Sequence, residues 1–302
     1  MKILITGGSG FIGHAVVTAL LQAKHDITIV DIKMPNFPGH IHFFHADILN
    51  KKALSEVFEK VKPEIVIHLA GCTDSTAGHD YIYNCNVKGT LNIIDTCLNN
   101  KVKKFIFAST CMVYGKNSKL KVAEKVEVAP QSLYAFTKAV GESLIKASGL
   151  NYIIFRMFNV SGPGFTHDPP RYLIPTALAA TLEKPLRIFT KYNDIRDYVH
   201  VDDIARAYVL ACISKVKDAI IINLGTGIPS SLGHVIDMVR EARGILLHTI
   251  IDYNAPGLNK QEGIHLTANI KRAEDILHWI PQKKLSNIIK DAADWFNKRS
   301  IE

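Results

Sequence analysis

Tyr134-Ala-Phe-Thr-Lys138 sets a phenol and an ammonium four residues apart. In a helix, which the pattern after Pro130-Gln-Ser132 suggests, residues at that spacing share one face. A phenol with a pKa of about 10 is a poor base at neutral pH. A cation beside it stabilises the phenolate and opens a route for taking a proton from a hydroxyl group. The same residues also suit an exposed Tyr–Lys pair on a solvated helix, and spacing alone does not choose. The rest of the chain must decide.

The first fourteen residues bear on that choice. Lys2-Ile-Leu-Ile-Thr6 is a short apolar run suited to a buried strand. It enters Gly7-Gly8-Ser9-Gly10-Phe11-Ile12-Gly13 and then the helical pattern of Ala15, Val16, Leu20 and Leu21. Of the glycines at 7, 10 and 13, one lets the chain turn sharply, one lets backbone approach a pyrophosphate, and one lets the helix pack close to the strand. The anion would sit at a helix N-terminus, where N–H groups and the dipole favour negative charge. A glycine triplet alone is weak. Here strand, triplet, helix and a second strand ending in an acid, Asp26-Ile-Thr-Ile-Val-Asp31, come in the order of a dinucleotide-binding unit. With a nicotinamide cation near Tyr134 and Lys138, the pair becomes a candidate acid–base centre.

These groups need a frame, and the chain spells one out. Met34 to Gly39 reads as a loop, and His40 to His45 as a third strand followed by Asp47. His40 and His42 would share a strand face with His45 opposite, and no acid or Cys completes a set, so no metal site is expected. Lys51 to Val61 has helical spacing, and Glu64 to Ala70 is a continuous apolar strand ending at Gly71. A loop from Cys72 to Gly78 leads to a long helix through Asn86 to about Leu98, and Lys104 to Ser109 is the next strand. Such alternation predicts an α/β fold with a doubly wound parallel sheet. Ligands of these sheets lie outside the carboxyl ends of the strands, where Gly7, Asp31, Asp47, Ala70 and Ser109 all fall.

A length of 302 residues allows one large core or two unequal domains sharing it. No stretch approaches the roughly 18 apolar residues of a membrane span. The net charge of +8 favours anionic partners, but the Lys and Arg residues are dispersed and not interleaved with aromatics. Nucleic acid is therefore not expected, and an anionic cofactor with an anionic substrate accounts for the sign. Cys72, Cys85, Cys97, Cys111 and Cys212 lack C-x-x-C spacing and read as free thiols of a reducing cytoplasm. The five-residue apolar run at the start, broken by glycines, does not read as an export signal.

Taken together these motifs resemble the extended short-chain dehydrogenase/reductases, in the NAD-dependent epimerase/dehydratase branch that acts on nucleotide sugars. The resemblance runs from Met1 to about Trp295. It rests on Thr6 to Gly13, Asp31, Ala46-Asp-Ile48, His68-Leu-Ala-Gly71, Asn86 to Thr90, Phe107 to Gly115, Tyr134 with Lys138, Arg156 to Gly164, Arg196 to Asp203 and Asn223 to Gly227. It implies that Tyr134 is the general base and acid, Lys138 its electrostatic partner and a ribose contact, and Thr110 the hydroxyl that bonds the sugar oxygen. Asp31 would bind the adenosine ribose and favour NAD over NADP, and Asp47 and Ile48 would flank the adenine. Gly7, Gly10, Phe11, Ile12, Gly13, Leu69, Ala70, Gly71, Asn86, Ser109 and Phe158 complete the implied cofactor site. Asn159 and Arg196 fall where the family contacts the nucleotide sugar, the Arg suiting a diphosphate. The implied layout is a Rossmann domain of residues 1–159 with 195–227 and a smaller substrate domain of residues 160–194 with 228–302.

Departures narrow the reaction. Cys111 and Met112 stand where family dehydratases and decarboxylases carry acids, so those chemistries are disfavoured. Tyr172 stands where Asn is common, Thr190 to Asn193 replaces a Gly-Asp-Gly turn, and Lys260 lies where a second phosphate-binding Arg is usual. The favoured expectation is NAD-dependent C4 epimerisation of a UDP-sugar through a 4-keto form. The alternatives are a net NAD(P)-dependent sugar or carbonyl reductase, and a catalytically silent dinucleotide sensor. A homodimer is expected through the helices at about 79–98 and 131–147, the second carrying Phe136, Val140 and Leu144.

Overall fold

The computed structural model describes residues 1–37, 41–74, 76–116, 121–164, 172–181, 183–188, 191–215, 219–244, 249–251 and 265–299. Its centre is a parallel sheet of β1 (Lys2–Thr6), β2 (Asp26–Asp31), β3 (His42–His45), β4 (Ile65–His68), β5 (Lys104–Thr110), β6 (Tyr152–Met157) and β7 (Ile220–Leu224). The strands lie in the order β7-β6-β5-β4-β1-β2-β3, every pair parallel. The order reverses between β1 and β4, and the crevice of a doubly wound sheet opens at that point. The third strand begins at His42, and His40 lies outside the described residues.

Helices cover both faces, which is why β4 and β5 are apolar without alternation and buried throughout. On one face α1 (Phe11–Gln22) sets Val16, Val17 and Leu20 against Ile3, Ile5 and Ile29. On the other, α2 (Lys51–Val61) supplies Leu54, Val57 and Phe58 to a core with Val66, Phe105 and Phe107. The long helix expected from residue 79 is α3 (His79–Tyr83), a π-helical turn over Asn84–Lys88, and α4 (Gly89–Asn99). Helix α5 (Leu133–Ala147) starts where Ser132 caps it, accepting the N–H of Ala135 at 3.2 Å.

Beyond the sheet, α6 (Leu173–Ala179), α7 (Val201–Ile213), α8 (Leu232–Arg243), α9 (Lys271–Leu277) and α10 (Leu285–Arg299) divide between two cores. Helices α6, α8 and α10 make a separate one, with Ile174, Leu178, Val235, Ile236, Ile288 and Ile289 at its centre. Helix α7 packs beside α1 on the sheet. Leu277 and Trp279 also enter the sheet core, and the Trp279 indole donates to the carbonyl of Asp203 at 2.8 Å. No helix among the described residues is long and apolar enough to cross a membrane.

Candidate active site

At the end of β1 the backbone turns through Gly7 with φ +74°. A Cβ there would lie 2.5 Å from the N–H nitrogen of Ala70, and one at Gly13 would lie 2.1 Å from the carbonyl of Gly7. Both contacts are impossible, so the loop, the end of β4 and the start of α1 close up only as glycine. Gly10 differs. A Cβ there would meet only the Gly7 carbonyl, at 3.4 Å. Gly10 is the N-cap of helix α1, which has no side-chain cap and no acid in its first turn. An open cradle facing an uncapped helix N-terminus fits a pyrophosphate. Phe11 and Ile12 form the first turn of that helix.

Asp31 ends β2 beside this loop, one carboxylate oxygen accepting the N–H of Ser9 and the other that of Lys33, both at 3.0 Å. It steadies the loop, and each oxygen keeps a further lone pair. Asp47 accepts the N–H of Leu49 at 2.9 Å, and buried Ile48 presses against Gly89. The N–H groups of Leu69 and Ala70 both reach the carbonyl of Thr6 at 3.0 Å, binding the ends of β1 and β4 together.

Lys138 comes to the same place from α5. Its Nζ donates to the carbonyl of Ala108 at 2.8 Å, lies 4.7 Å from the centre of the Phe107 ring, and would be 3.4 Å from a Cβ on Gly71. The ammonium thus stands between the ends of β4 and β5, two residues before Thr110. Burial pulls its pKa down to about 8, while nearby Cys85 and Glu142 act the other way. Thr110 caps the short 3-10 turn Cys111–Tyr114 by accepting the N–H of Met112 at 3.2 Å. The Cys111 thiol is buried and pushed up to about 12 by desolvation, which makes it a poor proton donor or acceptor here.

The expected depression of the Tyr134 pKa is not found in the chain by itself. Burial holds the phenol well above its ordinary value, and the neighbouring Tyr172, Cys111 and Cys72 add to the shift. Lys138 spends a hydrogen bond on the Ala108 carbonyl, and desolvation dominates at the phenol. Two assigned cofactor contacts also have other employment for their side chains. Ser109 donates to Glu142 at 2.6 Å, away from the loop. The amide of Asn86 accepts the N–H of Cys72 at 2.7 Å and donates to the Cys72 carbonyl and the Thr137 hydroxyl. Phe158 is buried with Val113 and Leu266.

Residues that sequence reasoning passed over tie these parts together. His68, at the end of β4, joins the Thr6 hydroxyl at 2.6 Å and the Thr90 hydroxyl at 3.1 Å. Thr90 donates to the Asn86 carbonyl, and Thr137 to the Tyr134 carbonyl. A buried polar chain therefore runs from β1 to the turn of α5 that carries Tyr134. Burial holds the His68 imidazole near pKa 3, so it stays neutral. The signal available in sequence was a His ending an otherwise apolar strand.

Of the two residues expected to contact the nucleotide sugar, Asn159 donates through its amide to the Asp197 carbonyl at 3.0 Å. Arg196 is partly buried, with Nη1 donating to the Ile195 carbonyl at 3.0 Å and Nη2 4.0 Å from the Asp194 carboxylate. Between them, fully buried Asp197 accepts the N–H groups of Thr226, Gly227 and Ala268 and the Thr226 hydroxyl, at 2.6–2.9 Å. That fixes the strand bearing Arg196 to the turn after β7. Tyr172 precedes α6 and is 41% exposed, close enough to Tyr134 to affect it. Thr190 and Lys260 lie outside the described residues.

The chain matches the family described as "NAD dependent epimerase/dehydratase family" over residues 3–225. It is 31% identical to a UDP-glucose 4-epimerase of Halalkalibacterium halodurans, across 98% of this chain and 95% of that protein. It also superposes on the crystal structure of the Thermotoga maritima UDP-glucose 4-epimerase with UDP-glucose, with a TM-score of 0.89 and 28% identity over the full length of both chains. The Brucella ovis UDP-glucose 4-epimerase in complex with NAD gives a TM-score of 0.88 and 29% identity, across 97% of this chain and 98% of that one.

Proposed function

Because the chain belongs to the NAD-dependent epimerase/dehydratase family, we propose that it is an NAD-dependent epimerase that inverts C4 of a UDP-sugar. The observation that carries this reading is the placement of the Lys138 ammonium. It stands between Gly71 and Ala108, at the crevice where the glycine cradle, Thr110 and the helix bearing Tyr134 converge. NAD bound there would supply the hydride acceptor, and afterwards the hydride donor, for the sugar carbon. The protein's own residues orient and move the proton. Tyr134 takes the C4 hydroxyl proton and later gives it back, Thr110 bonds the same oxygen, and Lys138 offsets the phenolate charge. Gly10 and the start of α1 hold the pyrophosphate, and Asp31 holds the adenosine ribose. Leu69, Ala70 and Gly71 wall the cofactor on the β4 side.

Asn159 and Arg196 belong to the same proposal as contacts of the nucleotide sugar, the guanidinium facing the diphosphate. So does the division into residues 1–159 with 195–227 and residues 160–194 with 228–302. The separate core of α6, α8 and α10 supports the division, although Trp279 reaches across to the sheet. Exposed Leu91, Leu98 and Phe136 on α4 and α5 support a homodimer through those helices. Free thiols at all five cysteines agree with a cytoplasmic protein.

The test is an isomer assay on purified protein with UDP-glucose and UDP-galactose and with their N-acetylated forms. Interconversion without net absorbance change of the nicotinamide is expected. Stoichiometric formation or consumption of NADH, with no epimer, would replace this reading by a dehydrogenase.

A further inference from the structure

Glu142 and Arg156 form a bidentate ion pair closed off from solvent. Arg156 Nε lies 2.9 Å from Oε1 and Nη2 2.6 Å from Oε2, and each residue is 1% exposed. A buried pair of this kind carries a desolvation penalty that a hydrophobic pair would not, so it is weak support for stability as such. Its place in the fold is informative. Glu142 is four residues after Lys138 on α5, on the same face of the helix. Its Oε1 also accepts the Ser109 hydroxyl at 2.6 Å, and Ser109 immediately precedes Thr110 on β5. Arg156 sits on β6 opposite Ser109 in register, and its other arm holds the Glu124 carbonyl at 3.2 Å while its guanidinium stacks 4.7 Å from the Tyr114 ring. One carboxylate thus links the helix of the proposed base, the strand of the proposed hydroxyl, and a cation anchored in a second strand.

We propose that Glu142 is a positioning residue: gripped by Arg156, it fixes the distance between Thr110 on β5 and the Tyr134–Lys138 face of α5. This rests on the acid–base assignment made above. A second consequence is electrostatic. The titratable groups around Lys138 are Cys85 from the π-helical turn, His68 from β4, and Tyr134 and Glu142 one turn to either side on its own helix, the phenol neutral because burial raises it. His68 is neutral, and the Cys85 thiol, pushed up to about 11 by burial, is neutral as well. Glu142, held by Arg156, is the remaining negative charge, and it acts to raise the Lys138 pKa against burial. Around Glu142 itself stand Arg156 and, at 3.7 Å, the half-exposed Lys146.

Two variants separate these roles. Ser109→Ala removes only the hydroxyl link and leaves the ion pair intact. Its kcat is expected to fall by about 10- to 100-fold, the cost of a small misplacement of reacting groups, with the pH profile unmoved. The double variant E142Q/R156Q removes both charges together, so no buried charge is orphaned, and the amide oxygen that replaces the carboxylate can still accept from Ser109. Its basic limb in kcat against pH is expected at lower pH than wild type, because the ammonium loses its counter-charge. A loss of folded protein would lower the amplitude without moving the limb. The Lys138 titration, followed by NMR of the lysine ε-carbon, is expected to shift in the same direction and needs no substrate. Wild-type protein that does not interconvert UDP-sugars would defeat the functional reading alone, since the NMR shift would still report the coupling. Folded variants with wild-type kcat, pH profile and Lys138 titration would overturn the proposal.

Discussion

At the scale of single residues, the proposed chemistry turns on a phenol that the chain alone makes a worse base, since burial raises Tyr134. A bound cofactor's positive charge has to complete the site. Tyr134→Phe keeps the ring and removes the ionisable oxygen, so melting temperature and NAD affinity should hold while turnover falls by a factor on the order of 10² to 10⁴. Thr110→Ala should also lower kcat, with Thr110→Ser retaining most of it; both are read by the isomer assay. His68 makes a different kind of prediction. Its folded pKa near 3 lies below the ordinary 6.5, so between those values the unfolded chain binds a proton that the folded one does not. Stability therefore falls as pH drops from about 6.5 towards about 3, with a limiting slope of roughly 1.4 kcal/mol per pH unit from this group. Urea unfolding across that range should show a shallower decline in His68→Gln. Tyr134, Lys138 and Asp31 could be proposed from sequence because each sits in a short pattern with its own chemistry, and Thr110 could be proposed from the family resemblance. His68 and Glu142 were not, because the partners that explain them, Thr6 and Ser109, lie 62 and 33 residues away.

At the scale of elements, strands and helices were legible wherever periodicity is local, and β1, α1, β2 and β4 fall close to where the apolar pattern puts them. The break at Asn84–Lys88 was not, since the segment reads as one helix and the π-helical turn coincides with Asn86 closing on Cys72. The loop between β1 and α1 separates two uses of glycine. Gly13→Ala drives a methyl into the Gly7 carbonyl and should cost about 1–3 kcal/mol or more in stability. Gly10→Ala meets almost nothing in the protein, so it should melt near wild type yet bind NAD more weakly, because its methyl occupies the cradle. Differential scanning fluorimetry with and without NAD distinguishes the two.

At the scale of the whole molecule, the expected assembly is motivated by apolar side chains exposed on two helices. Leu91, Leu98 and Phe136 are 41–50% exposed on α4 and α5. Multi-angle light scattering should give the mass of two chains at micromolar concentration, and L91K/F136K should give one. Val140 and Leu144, placed with Phe136 in the sequence pattern, are only partly exposed, and Leu144 packs onto the sheet core. Sequence supplied the stripe but not how much of it the sheet already covers, which depends on the depth at which α5 sits.

All seven strands of the central sheet are complete by Leu224, yet its core is not. Trp279, wholly buried, fills that core and ties its indole to Asp203, whose carboxylate also accepts the N–H groups of Gln282 and Lys283. In chain order, therefore, every strand of the sheet is made before the last quarter of the sequence, which supplies the residue that closes this flank. Trp279→Ala should cost about 3–5 kcal/mol in urea unfolding. A fragment ending at residue 225, although it spans nearly everything that defines the family, should emerge as a partly folded, chaperone-dependent species instead of a free-standing nucleotide-binding domain.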